Sequence, residues 1–189
     1  MAPPVKRSDD ELLDRALERF WSHGYGNTTI RDLERALKLT APAIYHRFGN
    51  KDALFARVIE RYVKAVIVPR VRAYLGTSED PLVDLYRFFR TAQSPRGCLL
   101  TTAAIELGPT SSKMRARVEA GMDVMREALL AETRRLEEGA VARELAQALF
   151  LDLQGLMVLS RLGIADEELR RRTRMVFFAR FGKQFKPRR

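Results

Sequence analysis

The chain has little of what builds a catalytic centre or a disulfide-stapled fold. It contains a single cysteine, Cys98, which excludes an intramolecular disulfide framework. His23 and His46 are its only histidines, and the sequence has no glycine-rich phosphate loop, no nucleophile elbow and no Cys/His metal spacing. We therefore expect neither an enzyme nor a metal site, and no cofactor.

Long apolar runs and a leader-like start are also missing. No run approaches the roughly 20 apolar residues of a membrane span, and residues 1–11 have no apolar core of the kind found in signal peptides. The sequence thus predicts a cytoplasmic protein with no membrane partner. Because the alternation typical of strands is absent too, we predict an all-α fold.

What the chain does have is apolar residues and positive charge. Apolar residues make up 46% of 189 residues, enough for the core of one or two small domains. The net charge of +10 favours a polyanionic partner such as nucleic acid, although an arginine-rich surface without such a partner remains the alternative. In the short basic arm of residues 1–7, Lys6 and Arg7 either reach DNA or belong to a frayed terminus.

Residues 28–52 carry the pattern of a helix-turn-helix. Thr29 and Asp32 predict a capping box for a first short helix, whose apolar face is Ile30, Leu33 and Leu37. After a two-residue turn, Thr40 is predicted to cap a second short helix that tolerates Pro42 in its first turn. In such a motif the second helix lies in the major groove of DNA.

Longer helices flank this motif. Ser8 and Glu11 predict a capping box before an apolar stripe that includes Phe20 and Trp21, which we interpret as core rather than a ligand platform. Asn50 is predicted to cap a joining helix over about 51–68, which Pro69 ends or kinks. Its apolar face is too broad for a three-helix unit to cover. We therefore predict a DNA-binding domain at 1–50 and a second helical domain at 69–189.

The second domain shows helical signals throughout. The predicted helices are one opening at Asp80-Pro81, one over 98–107, one from Ser111 or Ser112 to about Glu138 and closed by Gly139, one over 141–162, and one capped by Asp166. The helix over 98–107 is nearly uncharged, so we predict that it is buried on most sides. A basic tail is predicted from residue 183 onward.

The order of these signals resembles the tetracycline-repressor-like (TetR) family of transcriptional regulators. The residues that carry the resemblance are Leu12 to Trp21, Gly24-Tyr25, Thr28-Thr29-Ile30-Arg31-Asp32-Leu33, Ala43-Ile44-Tyr45-His46-Arg47-Phe48 and Asn50-Lys51-Asp52-Ala53-Leu54-Phe55. The match spans about 8–62, and the rest of the chain agrees only in length and helix order. Leu39 and Pro42 depart from the usual pattern, which bears on the DNA sequence that is read.

The resemblance implies a homodimer that binds a palindromic double-stranded DNA operator. It also implies that the last two long helices form the dimer interface, and that a pocket in the C-terminal helices takes a small-molecule effector whose binding releases DNA. Repression is the usual mode of action in this family, and we adopt it as the expectation. A ligand-independent architectural DNA-binding protein, and a repressor that senses oxidants or electrophiles through Cys98, are the alternatives.

Candidate DNA contacts follow from residue chemistry and from the resemblance. The candidates are Thr28, Thr29, Arg31, Thr40, Ala41, Pro42, Ala43, Tyr45, His46, Arg47 and Lys51. We expect Tyr45 and Lys51 to hold phosphates, and His46 to face the groove as its counterparts do in the family. The three threonines are helix caps whose helix N-termini can also accept phosphate.

Candidate pocket residues lie on the later helices. They are Phe88, Phe89, Cys98, Thr101, Glu106, Met122, Met125, Gln154 and Met157. Apolar helices with a few polar groups are typical of a ligand site but equally of an ordinary core, so both interpretations stay open. Cys98 at a helix start is either a thiolate favoured by the helix dipole or a small buried apolar residue.

Overall fold

The computed structural model describes residues 7–185, and these residues form helices and connecting segments without a β-strand. The prediction of an all-α fold is confirmed. The helices are α1 (Asp9–His23), α2 (Ile30–Leu37), α3 (Ala41–Phe48), α4 (Lys51–Tyr62), α5 (Val68–Tyr74), α6 (Pro81–Ala92), α7 (Leu99–Leu107), α8 (Ser112–Thr133), α9 (Gly139–Arg161) and α10 (Asp166–Phe181). Within this described range no helix is long and apolar enough to cross a membrane.

Helices α1–α3 are here called the N-terminal unit, and their ends are set largely by capping residues close in sequence. The capping boxes predicted at Ser8 and Thr29 are both present, each hydroxyl accepting an N–H bond at 3.2 Å from the third residue of its helix. Gly49 ends α3 with a φ of +87°, and Asn50 caps α4. The predicted stripe of α1 is buried throughout, so local signals and the core agree.

The turn between α2 and α3 departs from the predicted capping. Thr40 occupies the N-cap position, but its side chain makes no capping hydrogen bond. Glu34, one turn back on α2, accepts the Ala41 N–H at 2.6 Å instead. A carboxylate within reach makes a stronger, charge-assisted bond than a hydroxyl does. The turn itself is made by Lys38, which adopts a left-handed φ of +55°.

The joining helix does not end at Pro69, which corrects the predicted boundary. It continues from α4 through a π-helical segment (Val63–Ile67) into α5 and stops at Tyr74. In the π-helical segment the Val68 N–H bonds to the Val63 carbonyl, five residues back. This wider π-helical turn lies just before Pro69, which has no N–H to donate. The helix therefore continues past the proline.

Helices α6–α10, here called the C-terminal unit, differ from prediction mainly at their ends. Helix α8 stops at Thr133, and Gly139 begins α9 with a φ of +57° rather than closing the helix before it. Ala165, not Asp166, is the N-cap of α10; Asp166 is the first residue of the helix, and its carboxylate pairs with Arg170 at 2.7 Å.

Two further expectations concern the burial of α7 and the basic residues at the two ends of the chain. In the segment 98–107 Ile105 alone is exposed, at 71%, and the other residues are buried or half-buried, which agrees with the predicted burial on most sides. After a single turn of 3-10 helix (Gly182–Gln184), Phe185 packs on Tyr86 and Phe177. The rest of the predicted basic tail, and Lys6 of the basic arm, lie outside the described residues.

Candidate DNA-reading face and junction cavity

Helix α3 has one buried face and one open face. Ile44 and Phe48 are buried and fix the helix to the core. On the other side Pro42, Tyr45 and His46 are exposed, and Tyr45 keeps 46% of its surface open although it is aromatic. An aromatic side chain with a free hydroxyl beside an imidazole is suited to phosphate oxygens and base edges. Ala41 and Ala43 are half-buried at the margins of this face.

The threonines predicted near this face have different surroundings. Thr28 is fully buried, and its hydroxyl donates to the Gly24 carbonyl at 2.7 Å, so it neither caps a helix nor meets a phosphate. Thr29 lies at the exposed start of α2, and Thr40 lies at the exposed start of α3. Arg31 projects into solvent from the first turn of α2.

Arg47 faces inward and away from the open surface of α3. Its guanidinium pairs with the Asp9 carboxylate at 2.5 Å and donates to the Arg7 carbonyl at 3.1 Å. Arg57 pairs with the same carboxylate at 2.7 Å. Hydrogen bonds from Arg57 and then Arg47 hold the pKa of Asp9 below its usual value of 3.8. In this conformation Arg47 ties α3 to α1 and Arg57 ties α4 to α1, so a contact of Arg47 with DNA stays a prediction.

Lys51 lies at the start of α4, where free backbone amides already favour an anion. Its ammonium lies 4.0 Å from the centroid of the Tyr25 ring, whose hydroxyl donates to Asp52. Burial, with the Asp52 contact, raises the pKa of Tyr25 to about 12, so this hydroxyl stays a donor. Burial lowers the pKa of Lys51, and the charges of Asp52 and Glu106 oppose that effect. The aromatic ring thus gives the lysine a fixed platform, a role that the sequence pattern did not predict for Tyr25.

A polar cluster joins α1 to the C-terminal unit. The Trp21 indole N–H donates to the Gly97 carbonyl at 2.9 Å, and the Arg96 guanidinium lies 3.8 Å from the centroid of the same ring. Arg161 of α9 donates to the Trp21 carbonyl at 3.2 Å and to the Arg96 carbonyl at 2.7 Å. Side chains from three distant segments therefore converge on the end of α1.

Next to this cluster lies a cavity of about 370 Å³, here called the junction cavity. Its walls are His23, Asn27, Cys98, Thr101, Thr102, Ile105, Glu106, Met157, Val158, Arg161 and Leu162. The volume falls within the range of small-molecule sites. The cavity has walls from both units, so an occupant would touch the end of α1 and the α1–α2 loop as well as α7 and α9.

The predicted pocket residues divide into two groups. Cys98, Thr101, Glu106 and Met157 line the junction cavity. Phe88, Phe89 and Met125 are buried in the core, Met122 packs partly against it, and these four lie outside the junction cavity. Gln154 does not line the cavity itself but contacts the wall residue Thr101. Its carbonyl oxygen accepts from the Thr101 hydroxyl, while its amide nitrogen is buried without a partner among residues 7–185.

Cys98 is the N-cap residue of α7 and only 2% exposed, although it forms part of the cavity wall. It neighbours the buried Tyr62 hydroxyl, and burial together with Cys98 raises the pKa of that tyrosine well above 10. The thiol is thus enclosed on the core side and borders the cavity on the other. His23, Asn27 and Arg161 were not predicted as wall residues, because only long-range packing brings them there.

Comparison with known proteins decides the family. Residues 12–58 match the model of bacterial regulatory proteins of the tetR family. The chain is 28% identical over 174 residues to the HTH-type transcriptional repressor ComR of Escherichia coli strain K12, covering 85% of this chain and 82% of ComR. It also superposes with TM-score 0.79 on a cysteine mutant of the TetR family regulator CifR, at 25% identity, covering 94% of this chain and 99% of that one. Together these matches support a TetR-family regulator.

The matched proteins are transcriptional regulators of the TetR family, which are not enzymes, and this chain shares their N-terminal helix-turn-helix. The CifR structure was solved with 26-bp double-strand operator DNA. A second relative, the HTH-type transcriptional repressor Rv1474c of Mycobacterium tuberculosis, is 44% identical over 73 residues, or 38% of this chain and 39% of Rv1474c. The TetR resemblance seen in the sequence is confirmed.

Proposed function

We propose that this TetR-family regulator is a repressor that binds a palindromic operator as a homodimer and is released by a small molecule. The observation that carries the DNA part is the open face of α3, which presents Tyr45 and His46 on a helix fixed from behind by Ile44 and Phe48. In helix-turn-helix proteins this second helix enters the major groove. The repressor role is supported by the relatives ComR and Rv1474c.

We divide the proposed DNA contacts into those that provide affinity and those that provide sequence specificity. Tyr45 and Lys51 hold phosphates: Tyr45 presents its hydroxyl on the open face, and Lys51 carries its ammonium at the start of α4, over the Tyr25 ring. His46 and Pro42 face the groove, where the imidazole can donate to a guanine acceptor and small apolar groups meet thymine methyls. The remaining proposed contacts are Thr29, Arg31, Thr40, Ala41 and Ala43. On this view residues 1–50 bind DNA, the helix from Lys51 to Tyr74 joins the two units, and the helices that follow it regulate.

The dimer surface that we propose is the outer face of α9 and α10. Several large apolar side chains are exposed there. They are Val141, Leu151, Val158, Leu162, Met175 and Phe178. The Arg180–Asp152 pair, at 2.8 Å, holds the two helices side by side. An exposed apolar face of this kind is typical of a protein–protein interface, and a second copy of the chain is the partner that a palindromic operator requires.

We assign release of the protein from DNA to the binding of a small molecule in the junction cavity. An occupant would touch the end of α1 and the α1–α2 loop on one side and α7 and α9 on the other. Half-sites on one face of B-DNA lie about 34–36 Å apart, or a multiple of that. A small rotation of each N-terminal unit about the junction spoils the match to both half-sites at once.

Sedimentation and operator selection test this proposal together. The wild type should sediment as a dimer and enrich a palindrome from random DNA, whereas Phe178→Glu should sediment as a folded monomer and lose the palindrome. Glu167→Lys, a charge change at an exposed residue in the first turn of α10, serves as the matched control. A monomeric wild type, or enrichment of a single half-site by the dimer, contradicts the proposal.

A second candidate function is favoured by one observation: Cys98 borders the cavity through which release is proposed. An electrophile entering that cavity would meet the chain's single thiol. If Cys98 is the sensor, electrophiles release the wild type from its operator but leave Cys98→Ser bound. Equal release of both proteins excludes this role. Retention of operator in the presence of every small molecule screened would favour an architectural binder.

A further inference from the structure

One carboxylate of the C-terminal unit reaches the loop between α1 and α2. Glu106, near the end of α7, accepts the Gly26 backbone N–H through Oε2 at 2.7 Å. The two residues are 80 positions apart in the chain. A hydrogen bond between an ionised acceptor and a backbone amide is stronger than a neutral one. It is therefore a specific link between the regulatory helices and the DNA-binding helices, beside the polar cluster at Trp21.

The loop backbone is shaped to admit this carboxylate. Gly24 has a φ of +82°, a conformation that favours glycine. A Cβ atom at Gly24 would overlap Glu106 Oε1, so the side chain and the loop backbone are in close contact. At Gly26 a Cβ would lie at an ordinary 3.6 Å from Oε2. The close approach is thus local to Gly24, and the hydrogen bond is local to Gly26.

The same loop carries the platform of Lys51. Tyr25 lies between Gly24 and Gly26, and its ring stacks near Phe20 and Phe55 at centroid distances of 6.2 and 5.1 Å. Lys51 lies over that ring at 4.0 Å. Glu106 bonds to the backbone at Gly26 and lies close to Gly24, the two neighbours of Tyr25, so its position influences where the ring and the lysine above it lie. The charge of Glu106 also acts directly on Lys51.

We propose that Glu106 is a positioning residue for operator binding, which holds the α1–α2 loop and, through Tyr25, places Lys51 against its phosphate. This rests on the proposed function for the Lys51 contact. Glu106 also forms part of the junction cavity. An occupant that bonds to this carboxylate competes with the Gly26 amide for it, which gives the cavity a direct effect on the DNA-binding loop.

The test compares Glu106→Ala, Glu106→Gln and Glu119→Ala in the full-length protein. Glutamine keeps an oxygen acceptor for Gly26, whereas alanine removes it. Glu119 is an exposed glutamate on α8, so its removal changes the net charge equally without touching the loop. Affinity for the selected operator and hydrogen exchange of residues 22–29 are measured at a temperature at which circular dichroism shows every variant to be folded.

We expect Glu106→Ala to weaken operator binding about tenfold, the effect of losing one charge-assisted hydrogen bond, and to speed exchange in residues 22–29. Glu106→Gln, which keeps a neutral and weaker acceptor, should lose about threefold and so fall between the wild type and Glu106→Ala, whereas Glu119→Ala should remain within about twofold of the wild type. A purely structural role would lower the melting temperature of Glu106→Ala and leave the affinity of the folded protein unchanged, which contradicts the proposal.

The proposed function and the proposed role of Glu106 can be disproved separately. If the wild type selects no palindrome, the proposed function is wrong whatever Glu106 does. If the wild type binds its operator but Glu106→Ala binds equally well, only the role of Glu106 is wrong. The exchange measurement needs no DNA, and unchanged exchange at residues 22–29 in Glu106→Ala also overturns the inference.

Discussion

The N-terminal and C-terminal units expose different chemistry. Helix α3 turns Tyr45 and His46 outward, an aromatic hydroxyl and an imidazole that suit a hydrogen-bonding, charged polymer. Helices α9 and α10 turn Leu151 and Phe178 outward, which are 62% and 50% exposed and suit another apolar surface. The difference fits the proposal that one surface binds DNA and the other binds a second copy of the chain. Between the two units lies the junction cavity, whose walls include Val158 and Leu162 from the edge of the apolar surface.

The largest effect is expected from breaking that junction. Trp21→Ala removes a side chain that is only 6% exposed, together with its hydrogen bond to Gly97 and its edge contact with Tyr62. We expect a loss of about 3–5 kcal/mol in the free energy of unfolding. Trp21→Phe, which keeps the ring but loses the N–H, should cost less. Chemical denaturation followed by circular dichroism measures both, and a near-neutral Trp21→Ala would mean that the units do not depend on this contact.

A buried carboxylate tests the C-terminal unit alone. Asp84 is fully buried and accepts the N–H groups of Thr77 and Ser78, each at 2.9 Å, with Arg135 at 3.5 Å. Asp84→Asn should destabilise the protein by about 3 kcal/mol, because donors arranged for a charge lose it. The exposed Asp123→Asn, on α8, is the control. At a temperature where the variant stays folded, operator affinity should be unchanged. A parallel loss of affinity would show that the two units are not separable in this way.

The pH dependence of stability checks the same residue. Burial alone would raise the pKa of Asp84, but hydrogen bonds from Ser78 and Thr77 outweigh it and hold the pKa below 3.8. The ionised Asp84 carboxylate therefore contributes fully to the free energy of unfolding above pH 3.8, the ordinary pKa of an aspartate. This contribution is lost as the pH falls through the lower pKa of the folded state. Urea unfolding at neutral and strongly acidic pH should show the gap between wild type and Asp84→Asn closing in acid. A gap that widens in acid contradicts this sign.

A smaller effect is expected at the loop between α1 and α2. Gly24→Ala places a side chain at a φ of +82° and against Glu106, so we expect about 2 kcal/mol of destabilisation. In a Glu106→Ala background the overlap is gone, and only about 1 kcal/mol should remain from the backbone. Denaturation of the two single variants and the double variant measures this coupling. Additive effects would mean that the two sites do not touch.

Sequence reasoning worked best where the forces are local. The capping boxes at Ser8 and Thr29 and the glycine end of α3 depend on residues three or four positions apart, and these were predicted correctly. Thr40 failed because Glu34, on the neighbouring helix, was the better acceptor for its helix start. Local rules identify a cap but cannot weigh it against a competitor brought near by folding.

The candidate site was harder to predict, because its parts are distant in sequence. Arg47 was expected to contact DNA, yet Asp9 lies within ion-pair distance only after α1 and α3 have packed. Likewise the contact of Glu106 with Gly26 and the placement of Arg161 beside Trp21 depend on tertiary packing. Helical periodicity assigns a residue to a face, but it does not say which residue of another helix lies opposite.

The most direct test of the DNA-reading face is a binding selection from one random DNA library with the wild type, Tyr45→Phe and His46→Ala. The account predicts that Tyr45→Phe weakens binding to all enriched sequences by about fivefold without changing the consensus. It predicts that His46→Ala changes the preferred base at one symmetric pair of positions with a smaller loss of affinity. An unchanged consensus and unchanged affinity for both variants would contradict the assignment of α3 as the reading helix.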